Sequence, residues 1–273
     1  MLRIVDVYMD SRCDNKITEN NVIQQNTKQY FLVENNKRNT RWKIDMYLDI
    51  TYILVIIGAI ISMIASMNVN GTYRRFSTVM NSRGIRAEEA AQRILSGVGI
   101  YDVRIERIRG NLTDHYSPGE KVLRLSDTVY GSSSVAAIGV AAHECGHAIQ
   151  HQVGYGPLGL RSLSVPVANI GSRLSWPIIL IGLIIGSTPI ANIGVILFLA
   201  VVFFQLITLP VEFNASRRAL KVLNEDRMLD PQELKGAKKV LSAAAMTYVA
   251  ALFSSILQLL RLVLIVNGNR RRD

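Results

Sequence analysis

The sequence predicts a mainly α (α+β) integral membrane protein, with about four transmembrane helices and a small α+β layer at one face. Three observations predict it. The 273 residues are 49% hydrophobic, with a mean hydropathy of +0.22, too apolar for an ordinary soluble domain. The apolar residues are gathered into long, nearly charge-free runs. Between the first two runs lies a stretch with helical and strand periodicities, punctuated by turn residues.

Taken in order, residues 1–45 are polar and rich in Asn. They read as a flexible tail, or as an upstream start that is not the functional one, since Met46 directly precedes the first apolar run. That run, YLDITYILVIIGAIISMIASM at 47–67, is long enough for a hydrocarbon layer of about 30 Å. It follows a polar stretch and lacks a small-residue cleavage signature, so it reads as an anchor occupying 46–69 rather than a signal peptide. Residues 70–162 form the extramembrane region. Within it, IRAEEAAQRILSG at 85–97 is an amphipathic helix ended by glycine. YDVRIERIRG alternates with period two and reads as a strand. Pro118-Gly119 marks a turn, and KVLRLS at 121–126 a second strand, the two expected antiparallel.

From 177 to 209 the chain is almost free of charge. A single helix of that length would run to about 50 Å, too long for one span. Gly186-Ser187-Thr188-Pro189 supplies a break. Two helices are therefore expected, at 165–186 and 190–209, as a hairpin within 163–209. Pro210 is expected to open a new helix in the segment 210–242. Residues 243–266 form the last span, with Arg261 placed to snorkel, before a basic tail to 273.

The extramembrane region also holds His143-Glu144-Cys145-Gly146-His147, an HExxH pattern in the run SSSVAAIGVAAHECGHAIQH. Ala, Val and Ile dominate 135–142, and Ser132, Ser133 and Ser134 are N-cap candidates, so the pattern lies on a helix. Positions four apart share a face, about 6 Å apart along the axis. Two imidazoles so placed can converge on one zinc ion, with Glu144 beside them to take a proton from water. Gly146 is unfavourable within a helix and is expected to leave space over the metal. The plainer reading is a buried helix whose histidines merely find hydrogen-bond partners. In a chain with only four histidines, the triplet favours the metal.

A third ligand is needed. His151 shares the helical face, but His143 and His151 would lie about 12 Å apart along a straight helix, too far to share an ion. His151 is then a rim residue or plain surface. Glu212, in LPVEFNASRRAL, is the better choice: a carboxylate from a second helix completes a His, His, Glu set and leaves one position open. Its competing reading is a helix-start glutamate favoured by the macrodipole. The site could be shared because two spans between residues 143 and 212 return the chain to the same side. His115 and Tyr116, on the approach to the second strand, are oxyanion candidates set against ordinary turn residues. Tyr155 and Arg217 are weaker ones. The exposed edge of the 121–126 strand could pair with an extended substrate. Cys13 lies in the polar tail and Cys145 inside the motif, so no structural disulfide is expected, and Cys145 is expected to pack.

The segments LTDHYSPGEKVLRLSDTVY, VAAHECGHAIQH and LPVEFNAS, with the basic C-terminus, resemble the YugP-like family of bacterial membrane zinc metallopeptidases, over about four fifths of the chain. The resemblance implies a zincin-like catalytic layer and a membrane-bound zinc hydrolase. A more distant likeness is to HtpX-type membrane gluzincins. There, an Asp four residues after the ligand Glu supports a zinc histidine. This chain has Ser216 at that offset, so Ser216 or Asn214 would have to substitute.

The net charge of +10 comes largely from Arg and Lys near the proposed membrane ends. Anionic lipid explains it more simply than nucleic acid, for which no motif is present. Arg74, Arg75, Arg83, Arg217, Arg218, Lys235, Lys238 and Lys239 fall on the catalytic side. Lys37, Arg38, Arg41, Lys43, Arg270, Arg271 and Arg272 fall on the other. Positive-inside counting leans toward a cytoplasmic catalytic side of a multi-pass cell-membrane protein. The expectation is a zinc-dependent metallopeptidase with one Zn2+, acting on a peptide or protein substrate, with Glu144 as general base. Its rivals are a site-two-type intramembrane protease, a membrane adaptor with a structural metal, and a non-peptidic hydrolase. The sequence says nothing of oligomeric state.

Overall fold

A computed structural model describes residues 51–270. The polar N-terminal tail, Met46 and the start of the first apolar run lie outside the described residues. The architecture is mainly helical: six helices and one small sheet among the described residues. Helix α1 (Thr51–Ser77) is followed by α2 (Ala87–Gly97), then β1 (Arg104–Ile108), β2 (His115–Ser117) and β3 (Val122–Ser126). After them come α3 (Val135–Gln152), α4 (Gly156–Ile185), α5 (Thr188–Glu225) and α6 (Pro231–Arg270). By length and composition α1, α4, α5 and α6 can each cross a membrane.

The sheet order is β1-β3-β2. β3 pairs antiparallel with β2 but parallel with β1, so the expected all-antiparallel pairing is corrected. Period-two alternation is the same for either direction, and the direction is set by the chain path. The central position of β3 also corrects the substrate-edge expectation, because both its edges are taken. The edge nearer α3 belongs to β2, three residues long, which Asp114 ties down by accepting hydrogen bonds from the Ser126 N–H (2.7 Å) and Oγ–H (2.9 Å).

Helix α3 begins where Ser134 Oγ accepts from the Ala137 N–H at 3.2 Å, one of the three serines expected to cap it. Its position is fixed by the segment before α2. Buried Asn81 donates to the carbonyls of Ile85 and Ser133, and Glu233 of α6 accepts from the Ser82 N–H. The apolar core lies beneath α3. Ile94 and Leu95 of α2, Leu123 and Leu125 of β3, Ile138 and Ala142 of α3, and Leu223 of α5 are fully buried there.

The hairpin turn falls where expected. Gly186 caps α4 in the left-handed region (φ +76°), open to glycine without a Cβ clash, and Pro189 sits in the first turn of α5. The helices are longer than the apolar runs. α4 starts at Gly156 and carries Pro166 and Pro177 inside it. α5 runs without interruption to Glu225, so Pro210 lies inside a helix and does not open one. Glu212 therefore rides on an extension of a spanning helix.

Candidate metal centre

Helix α3 presents His143 and His147 on one face, their rings meeting edge-on with centroids 4.8 Å apart. α5 crosses this face. The reason it can approach is Gly146: a Cβ there would lie 2.4 Å from the carbonyl oxygen of Ala215. The space expected over the metal is thus filled by the backbone of α5. That close crossing brings Glu212 and Ser216 to the histidines.

Glu212 Oε2 lies 3.2 Å from His143 Nε2 and 3.7 Å from His147 Nε2, and the three candidate ligand atoms all fall within 4.8 Å of one another. Ligand atoms roughly 2.0–2.1 Å from a tetrahedral zinc stand about 3.3 Å apart, so the donor set fits that ion by chemistry and spacing. Glu212 is buried, and its other oxygen, Oε1, faces the Arg161 guanidinium of α4 at 3.4 Å.

The far nitrogens of both imidazoles are also engaged. His143 Nδ1 is 3.1 Å from Ser216 Oγ, the residue at the offset where the distant gluzincins carry Asp. His147 Nδ1 is 3.0 Å from Gln150 Oε1. The polarity of this second contact follows from its surroundings. Gln150 Nε2 donates to the Val211 carbonyl (2.8 Å), which can only accept, and to Asn214 Oδ1 (3.0 Å). Asn214 Oδ1 also accepts from Arg218 Nε (2.7 Å), which can only donate. Gln150 must then present its oxygen to His147, so Nδ1 carries the proton and the Nε2 lone pair faces the cluster. Asn214 thus supports a histidine at one remove, through Gln150.

The site is negative. Burial opposes protonation of His147, but the nearby Glu212, Glu144 and Gln150 outweigh it and hold its pKa above the ordinary imidazole value. Such a field favours a cation. Glu144, also buried, accepts from the Tyr116 N–H of β2 at 3.0 Å through Oε2.

A sequence family described as "Putative neutral zinc metallopeptidase" matches residues 51–267. The chain belongs to that family. It is also 48% identical over 219 residues to the Bacillus subtilis (strain 168) protein named "Putative membrane protease YugP", covering 80% of this chain and 97% of that one. No solved structure matches. The description of that family agrees with a cluster of two imidazoles and a carboxylate, and four long apolar helices agree with the word "membrane" in the relative's name.

Other residues singled out from sequence lie around this cluster. His151 is exposed at the rim, its Nδ1 2.9 Å from the Tyr116 hydroxyl, and is no part of the cluster. His115 turns elsewhere, with Nδ1 2.9 Å from the Thr113 carbonyl and Nε2 3.5 Å from Arg124. Tyr155 stacks under the Arg218 guanidinium. Cys145 is fully buried against α2, with Sγ 3.7 Å from the Ala91 carbonyl, and burial pushes its thiol pKa up, so it packs. Three neighbours had not been singled out. Gln150 and Arg161 are two of them. The third is Tyr248 of α6, which interacts with Glu212 and feels the charges of Arg161 and Glu144. Gln150 had a faint signal, three positions after His147 on the same helical face. Tyr248 had one in being a phenol within an apolar run.

Proposed function

We propose that the chain is a membrane-bound peptidase that hydrolyses peptide bonds, with one zinc ion held by His143, His147 and Glu212 and with Glu144 as general base. The observation that carries the reading is the convergence of three ligand atoms from α3 and α5 beside an oriented buried carboxylate. When bound, zinc supplies Lewis acidity toward the scissile carbonyl and toward water. The chain's own residues do the rest. The Tyr116 N–H occupies Glu144 Oε2 and leaves Oε1 to accept a proton from the attacking water and pass it to the leaving amine. Ser216 and Gln150 hold the two imidazoles with Nε2 inward, and Arg161 turns Glu212 so that Oε2 faces them. Tyr248 and Arg161 are the donors available to a developing oxyanion. An extended peptide would lie along the edge of β2.

The site-two-type alternative would put the motif helix in lipid. α3 is instead packed among α2, the sheet, α5 and α6, and it is not one of the four helices apolar and long enough to span. The arginines in the last turn of α1 and just after it, with the arginines and lysines on the inner ends of α5 and α6, favour a catalytic face toward the cytoplasm. Glu144→Gln tests the chemistry: the variant should keep its zinc and lose peptide hydrolysis by at least roughly 10³-fold. Undiminished turnover in that variant would exclude Glu144 as the base.

A further inference from the structure

Outside the metal centre, a groove of about 680 Å³ that carries a charge pattern lies between the cytoplasm-proposed ends of α5 and α6. The two helices are antiparallel neighbours, so the groove has a direction. At one end it is walled by Phe213 and Met246, which adjoin the apolar segments of their helices. One turn beyond Phe213 stands Arg217, and another turn on, Lys221. On α6 Lys238 stands about 12 Å outward of Met246. The lining therefore carries three cations and, among the described residues, no carboxylate. Lys221 reaches Glu225 at 3.8 Å on an exposed helix surface; neither Arg217 nor Lys238 forms an ion pair among the described residues.

A groove that is apolar toward the bilayer and cationic one to two turns further out matches an amphiphile with an anionic head. We infer that this groove binds an anionic phospholipid of the adjoining leaflet, its phosphate against Arg217, Lys221 and Lys238 and an acyl chain against Phe213 and Met246. Headgroup charge supplies the affinity that a neutral lipid lacks, since each Lys or Arg at the membrane surface contributes measurably to binding anionic lipid. Ser216, which holds His143 Nδ1, is in the wall of the same groove, so the lipid would lie directly behind the metal ligands. The inference rests on α5 and α6 being membrane spans and is independent of the peptidase reading.

The test is native mass spectrometry of the purified full chain, titrated in detergent with phosphatidylglycerol or phosphatidylcholine, with the thermal unfolding midpoint in detergent as the check on folding. The wild type should retain one phosphatidylglycerol and discriminate against phosphatidylcholine. Arg217→Glu with Lys238→Glu should weaken phosphatidylglycerol by at least about tenfold. Lys235→Glu with Lys239→Glu reverses as many charges on exposed positions outside the groove and should change it by less than about twofold. Met246→Trp, which fills the apolar end and leaves the charges, should also weaken it. Equal losses in the two charge-reversal pairs would overturn the site in favour of diffuse surface attraction. Equal retention of the two lipids, or displacement by glycerol 3-phosphate at matching concentration, would overturn it as well.

Discussion

Around α3, Ile94, Leu95, Leu123 and Leu125 are 0% exposed, whereas on α4 and α5 Ile184, Ile185 and Ile196 are 76%, 67% and 65% exposed. The first region is organised by water: apolar side chains are driven inward, and the polar ones that remain inside, such as Gln150 and Asn81, are fully hydrogen-bonded. The second turns its apolar side chains outward, as helices in lipid do, and is held together by close approach of small residues. A Cβ on Gly182 would lie 2.4 Å from the Ala191 nitrogen, and one on Gly194 2.8 Å from the Ser175 carbonyl oxygen. Gly146 applies the same device where the two regions meet. The candidate metal centre belongs to neither region alone. The histidines come from the water-organised layer, the carboxylate from the extension of a lipid-organised helix, and one missing Cβ joins them.

The largest expected effect is therefore at that junction. Gly146→Val should push α5 off α3, cost on the order of 1–3 kcal/mol or more through overpacking, and abolish stoichiometric zinc in metal analysis of the purified protein. Gly194→Val sharpens the contrast: it should lower the thermal unfolding midpoint in detergent while zinc remains, since it loosens only the hairpin. Next in size is Gln150→Leu, which leaves His147 Nδ1 without its acceptor, removes the side-chain donor to the Val211 carbonyl, and leaves Asn214 Oδ1 with Arg218 alone. Zinc affinity by chelator competition should fall roughly 10- to 100-fold. Ser216→Ala should weaken zinc least, about tenfold or below, because Ser216 is half-exposed and water can stand in for its hydroxyl.

Much of this was legible in the chain. The HExxH spacing put both imidazoles on one face, Ser134 marked the helix start, and the Gly186-Ser187-Thr188-Pro189 break fell at the hairpin turn. Counting two spans between residues 143 and 212 was enough to bring Glu212 to the same side. What failed had a common cause. Pro210 reads as a helix start by local rules, but a proline within a spanning helix is tolerated when neighbouring helices pack against it, and α5 continues. β2 is too short for its alternation to register, and strand direction carries no period, so the parallel β1–β3 pair could not be read. Gly146 was assigned room for an ion because the partner that needs the room, the Ala215 backbone, lies nearly seventy positions away. Arg161 and Tyr248 likewise reach Glu212 from other helices and leave no pattern beside the motif.

The account stands on Glu212 as the third ligand, and metal analysis of the purified protein tests it most directly. Wild type and His151→Ala should each carry one zinc per chain, and Glu212→Ala should carry none. A Glu212→Ala protein that keeps its full complement of zinc, or a His151→Ala protein that loses it, would contradict the account.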